Sequence, residues 1–301
     1  MPPPGTRPSR DLSIAETVME EVHHQPQTNQ PPSVLQKTWT YLNEEVRVSV
    51  LAELELLILT FCIGLQDAVS FPDFHCFASN QTGNTVFLVL AIVLPEADGT
   101  IFETSNIGVA LGFFLLAAML TGQLGHRVGP RRRGWLILCN LLQTCLVFAA
   151  AALQHIQEQT RRNNNKSSSA VLSSSENEQP NTATTLWAIG LLATAAGGQV
   201  VLSRALRMTE ITTAMATAAW VDLLIDPALL AHPARNRPRN RRLGFLVALL
   251  LGTLCGAFVF RRLGSPAALM VSAAGKALVT GMFLVNPAER GKEVEREGRV
   301  V

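Results

Sequence analysis

Charge is scarce in this chain. Only 16% of its 301 residues are charged, against roughly 25% in a soluble domain. What charge there is gathers at the ends and in a few loops, so long stretches carry none. That pattern argues against a soluble globular class. Alternating polar and apolar residues, the mark of a membrane β-barrel, are also lacking, because the apolar runs are continuous. Paired cysteines are missing too. Cys62, Cys76, Cys139, Cys145 and Cys255 form no CxxC spacing, so neither a zinc site nor a disulfide framework is indicated, and no metal or other cofactor is expected. Adjacent His75 and Cys76 have no further ligand at useful spacing and are not read as a metal site. Walker A, HExxH, GxSxG and intramembrane Gly-Asp signatures do not occur, which disfavours an enzyme of a familiar type. A net charge of +2 indicates no nucleic-acid partner.

What is present is hydrophobicity: 48% apolar residues and a mean hydropathy of +0.24. Eight apolar windows approach the roughly 20 residues a spanning helix needs. They run over 54–71, 74–94, 107–125, 134–153, 186–203, 211–225, 243–260 and 267–285. The fold class expected is an all-α polytopic bundle of six to eight spans, with eight favoured. The partner it implies is a lipid bilayer; which membrane, and what oligomeric state, do not follow from the sequence. Gly108/Gly112 and Gly252/Gly256 carry the four-residue spacing that lets helix backbones approach in lipid.

Around the windows lie five segments. Residues 1–50 read as a disordered cytosolic tail ending in an interfacial helix that carries Trp39 and Tyr41. This stretch lacks a signal-peptide core, and Asp11, Glu16, Glu20 and Glu21 argue against a mitochondrial presequence. A first membrane repeat covers 51–155, a disordered Ser/Asn linker 156–185, a second repeat 186–286, and a charged tail 287–301. Matching residues support the duplication: Gly64-Leu65-Gln66 with Ser70 against Gly197-Gly198-Gln199 with Ser203, and Gly112-Phe113 against Gly244-Phe245. The stretch Asn80-Gln81-Thr82-Gly83 finds a weaker echo in Met215 to Ala218. The offset stays at about 134 residues throughout.

Eight spans would place the basic loop His126–Arg133 with Arg204, Arg207, Arg261 and Arg262. The loop Arg235–Arg242, the linker and both tails would fall on the other side. The positive-inside rule then leans towards cytosolic termini, against the pull of the triple arginine. The sequon Asn165-Lys166-Ser167 is an acceptor only if the linker faces a secretory lumen.

The densest signal is GLQDAVSFPDFHCFASNQTGN over 64–84, where an apolar run carries Gln66 and Asp67, breaks at Pro72 and resumes through amides and hydroxyls. Polar groups at membrane depth are costly and need partners or a task. One reading is a midplane binding site for a small solute and a coupling ion. It would be lined by Gln66, Asp67, Asn80, Thr82 and Asn84, with Gln199, Thr213 and Thr217 from the second repeat, and Asp67 would hold a proton or cation. The other reading is that the same groups cap a broken helix. Lys276 and Asp222 add intramembrane charge: Lys276 either pairs with Asp67 or Asp222, or snorkels.

At GLQDAVSF followed by FASNQTGNTVFL the chain resembles the YoaK family of integral membrane proteins, a domain-of-unknown-function family of bacteria and fungi. The resemblance covers about residues 55–285. It rests on Gly64, Asp67, Ala68, Ser70, Phe71, Phe77, Asn80, Thr82, Gly83 and Asn84, and in the second half on Gly197, Gly198, Gln199, Thr213 and Thr217. The chain departs at Thr217-Ala218, where the family tends to Thr-Gly. The long N-terminal tail and Ser/Asn linker are in keeping with a fungal member. The resemblance implies a multi-pass membrane protein and supplies no activity. Repeats with a broken polar helix point to a secondary transporter or permease; a membrane scaffold or sensor is the alternative, and an intramembrane enzyme comes third.

Overall fold

A computed structural model describes residues 33–168 and 182–289. The N-terminal tail before residue 33, linker residues 169–181 and the C-terminal residues 290–301 lie outside the described residues. The chain divides into two units, Met1–Trp39 and Thr40–Val301. Of the first, the described part opens the helix α1 (Val34–Asn43), where Ser33 and Gln36 exchange hydrogen bonds between backbone N–H and side-chain oxygen at 3.3 and 3.2 Å.

The second unit is all-helical among its described residues. Helix α2 spans Val50–Phe74, α3 Gln81–Val93, α4 Thr104–Val128, α5 Arg133–Ser168, α6 Thr182–Ala205, α7 Ala216–Leu224, α8 Arg237–Leu263 and α9 Ser265–Val285. Six of them are long and apolar enough to cross a membrane. The eight apolar windows therefore resolve into six long helices and two short ones. At about 1.5 Å per residue the 13 residues of α3 and the 9 of α7 fall well short of a ~30 Å hydrocarbon core. The linker expected over 156–185 is narrower, since α5 continues to Ser168 and α6 starts at Thr182.

Local chemistry sets these boundaries. Ser49 caps α2 by accepting from the Ala52 N–H at 3.2 Å. Pro72 does not end this helix. Its missing N–H falls in the final turn, where few further bonds are lost, and α2 runs on to Phe74. It stops at His75, whose φ of 51° turns the chain left-handed while its N–H returns to Phe71 O at 3.0 Å. Gly264, at φ 86°, forms the whole turn between α8 and α9.

The long helices pack in a reciprocal pattern. Helix α2 lies along α8, α6 along α4, and α5 along α9; α5 also packs on α6, and α9 on α2. Glycines set the tightest approaches. A Cβ on Gly64 would stand 2.6 Å from Leu249 O, and one on Gly256 2.9 Å from Leu65 Cα. The Gly252/Gly256 pair thus packs closely as expected, whereas Gly108 and Gly112 meet nothing within 4 Å. On α4 and α6 the close approach belongs instead to Gly197, against the Phe114 backbone.

Backbone ladders and ion pairs mark one end of the bundle. Residues 44–47, 131–133 and 287–289 hydrogen-bond to each other, with Val46 N donating to Arg131 O at 3.0 Å and Glu289 N to Glu45 O at 2.8 Å. Buried Arg133 donates to Phe283 O, Leu284 O and the Tyr41 hydroxyl, and lies 4.0 Å above the Tyr41 ring. Arg241 pairs with Glu53 at 2.6 Å and Glu210 at 3.5 Å, which brings the start of α2, the start of α8 and the α6–α7 connection to this end. Both basic loops, His126–Arg133 and Arg235–Arg242, consequently share one end with Arg204 and Arg207, not opposite ends as eight spans would require. We call it the basic end. At the other end Ser265 Oγ hydrogen-bonds Asp73, and Asn106 Nδ2 donates to Phe74 O at 2.8 Å.

Candidate functional site

Four helices, α2, α5, α6 and α9, have the larger buried share, while α4 and α8 stay largely open to the surroundings. Along each of the four, two apolar clusters are separated by polar residues. On α2 Leu56 and Leu59 belong to the cluster of the basic end, and Val69 and Phe74 to that of the far end. Gln66 falls between them. On α6 Gln199 lies between Ala195 and Leu202, and on α9 Lys276 lies between Ala273 and Val279. On α5 Asn140 and Gln143 separate Leu136 from Val147. The result is a polar layer across the middle of the bundle.

All of its members are buried, Lys276, Gln66, Gln199, Asn140 and Ser272 with 0% exposure. The Lys276 ammonium donates to Gln199 Oε1 and, at 3.5 Å, to Gln143 Oε1. Gln199 Nε2 donates to Leu59 O at 3.0 Å, and Gln66 Nε2 to Ser272 Oγ at 2.8 Å. Asn140 Nδ2 donates to Lys276 O and Thr280 Oγ1, both at 2.8 Å. Lys276 neither snorkels nor meets an acid. Its expected partners lie elsewhere: Asp67 is engaged with Ser79, and exposed Asp222 stands 3.7 Å from Arg242 at the basic end. Gln66 Oε1, Asn140 Oδ1 and Gln143 Nε2 find no partner among the described residues. Buried amide atoms left so are costly and call for a ligand or a rearrangement.

The other expected site residues do not join this layer. Asp67 accepts from Ser79 Oγ at 2.6 Å and from Ser79 N at 3.3 Å. Asn84 accepts from Phe77 N at 2.9 Å and donates to Phe77 O and Gln81 Oε1. Ser70 Oγ accepts from Ala78 N at 3.3 Å. These groups pin the 75–80 connection. Asn80 caps α3 through the Gly83 N–H at 3.5 Å, and Thr82 is exposed in the first turn. Thr213 is buried with φ 61°, and Thr217 is exposed on α7. The two connections lie at opposite ends of the bundle, so side chains from both cannot line one pocket. Of the eight residues expected to line one midplane site, Gln66 and Gln199 stand in this layer, with Lys276 beside them.

Sequence reasoning missed Asn140, Gln143 and Ser272. A signal existed, because Gln143 stands 133 residues before Lys276 and Gln66 the same distance before Gln199, close to the offset of the expected duplication. Two buried ionic groups at the basic end were missed as well. Glu55 accepts from Asn286 Nδ2 on both oxygens at 2.7 Å, and Arg133 is 1% exposed.

Six helices long and apolar enough to cross a membrane, set around a buried polar layer, define a multi-pass helical membrane protein. The chain belongs to the DUF1275 family, described as proteins of unknown function, whose profile matches residues 56–282. That is the family of YoaK-like membrane proteins expected from the 64–84 signature. No functionally curated protein and no solved structure matches the chain.

Proposed function

We propose that this protein is a secondary transporter or permease for a small anionic solute, built as two repeats of opposite orientation. Each half runs long, short, long, long, with three long helices. An odd number of crossings inverts the second half relative to the first. The packing supports this reading: first helix on third helix of the other half, twice over, and fourth on fourth. Inverted repeats with a midplane site are a recurrent transporter design. In this arrangement the basic end faces the cytosol by the positive-inside rule.

One observation carries the proposal. Lys276 is a fully buried ammonium at mid-depth, where α5, α6 and α9 meet, held by amide oxygens with no carboxylate against it among the described residues. A buried cation without a counter-charge is expensive, and an anionic solute seated among Gln66, Gln143 and Gln199 would supply that charge. Bound in the middle of two halves that rock against each other, it would be reached from each face in turn.

A second reading is favoured by the 75–80 connection, whose Asp67, Ser70 and Asn84 are fully engaged in holding backbone. A scaffold needs no more than that. Thiol accessibility separates the two. Gln143 and Gln199 are replaced singly by Cys in a chain freed of its five native cysteines, and a membrane-impermeant maleimide is applied from each face. Transport predicts labelling from both faces, reduced on both when Lys276→Met is added. Protection from both faces in a folded protein would sink the transporter and leave the scaffold.

A further inference from the structure

The basic end holds a cleft of about 390 Å³ between the last turns of α4 and α6. Gly122, Trp135, Val201 and Leu202 give it an apolar lining, Val201 standing 4.0 Å from a Cβ position on Gly122. Arg204, Arg207, His126 and Arg131 line it too, and no acidic residue does among the described residues. Arg131 is committed: it pairs with Glu289 at 2.6 Å and donates to Val46 O at 2.7 Å. Arg204 and Arg207 are exposed and have no ion pair among the described residues; Arg204 donates only to Met215 Sδ at 3.4 Å. Part of their charge offsets the carbonyl ends of α4 and α6, but that task needs no cavity. Arg207, at φ 55°, is the left-handed residue that follows the end of α6, as His75 follows α2, and it lines the cleft beside Arg204.

We propose that this cleft binds a phosphate-bearing anion, with Arg204 and Arg207 as its ligands. Three features favour this chemistry. Guanidinium forks match phosphate oxygens two at a time. Part of the lining is apolar, as the glycerol-proximal end of an acyl-bearing ligand would require. The cleft also lies beside the last turns of two long apolar helices, and basic pockets between membrane helices are suited to anionic headgroups. The site is separate from the Lys276 layer and stands whether or not the protein transports a solute.

Native mass spectrometry of the full-length protein tests this. The protein is released from nanodiscs of phosphatidylcholine, with and without phosphatidic acid; inorganic phosphate is titrated in a second arm. One phosphatidic acid retained per chain is expected, and Arg204→Gln with Arg207→Gln should lower retention about thirtyfold, given two contacts to a headgroup. Both arginines are exposed, so the variant should fold, and its unfolding midpoint verifies this. Arg261→Gln with Arg262→Gln, an equal change of charge at the other end, should leave retention unaltered. Retention lost equally in both variants, or no uptake of either probe, would overturn the site. Uptake of inorganic phosphate alone, abolished by the Arg204/Arg207 variant, would keep the anion site and assign it an aqueous ligand.

Discussion

Gly64 shows how much a single residue decides here. Its missing Cβ lets α2 lie against the α8 backbone, with Leu249 O 2.6 Å and Thr253 N 2.7 Å from where that atom would be. Backbone on both sides cannot step aside as a flexible side chain would. Gly64→Leu should therefore push α2 and α8 apart and destabilise the fold by about 3 kcal/mol or more. Gly281, with nothing within 4 Å, is the matched control: Gly281→Leu should leave the unfolding midpoint in detergent almost unchanged. Equal midpoints for the two variants would contradict the packing. Gln66 illustrates the same sensitivity in polar form. It faces Ser272 in the buried layer, while its neighbour Asp67, about 100° further round the helix, holds the Ser79 loop. Adjacent residues serve separate sites, which the sequence string alone cannot separate.

At the scale of elements, the connection between α7 and α8 is held by a carboxylate. Asp226 accepts from Asn236 Nδ2 on both oxygens at 3.1 Å and from the Ala228 N–H at 2.8 Å, with Arg242 3.6 Å away. Those bonds, led by Asn236, keep its pKa below the ordinary carboxylate value of 3.8. A group depressed in the folded state contributes stability that is present above its unfolded pKa. The contribution fades as pH falls below that value towards the folded one. Residues 225–236 should thus become more accessible to an acid-active protease as pH drops below about 4, and Asp226→Asn should remove most of that pH dependence. A profile that is the same for both proteins would reject the assignment. Element types were largely legible from the apolar windows, because continuous runs leave few alternatives to helix. Lengths were not. The window over 74–94 joins a loop, 75–80, to a 13-residue helix, and apolarity does not distinguish a pinned loop from a crossing. Of the site, Gln66, Gln199 and Lys276 were readable as polar residues in apolar surroundings. Their grouping was hidden, because it depends on which helices cross at mid-depth.

For the molecule as a whole, the arrangement of crossings makes a sharp prediction. Six crossings put the start of α2 and the end of α9 on one side, and the exit at Ser168 with the re-entry at Thr182 on the other. An epitope inserted between 169 and 181 should be protected from an impermeant protease whenever one appended after Val301 is cleaved, and the reverse. Cleavage of both from one face would restore an even number of crossings per half. The same count eases the tension in the basic loops: removing two spans moves Arg235–Arg242 beside His126–Arg133, so the arginines of these two loops no longer oppose each other, while Arg261 and Arg262 stay at the far end. It also divides the chain between two solutions. With all six helices crossing, the chain ends at Val50 and Val285 meet the enzymes, ions and pH of one compartment, and Ser168 and Thr182 meet those of the other. A kinase or protease confined to one compartment would then reach the chain beyond Val285 or the 169–181 stretch, and not both.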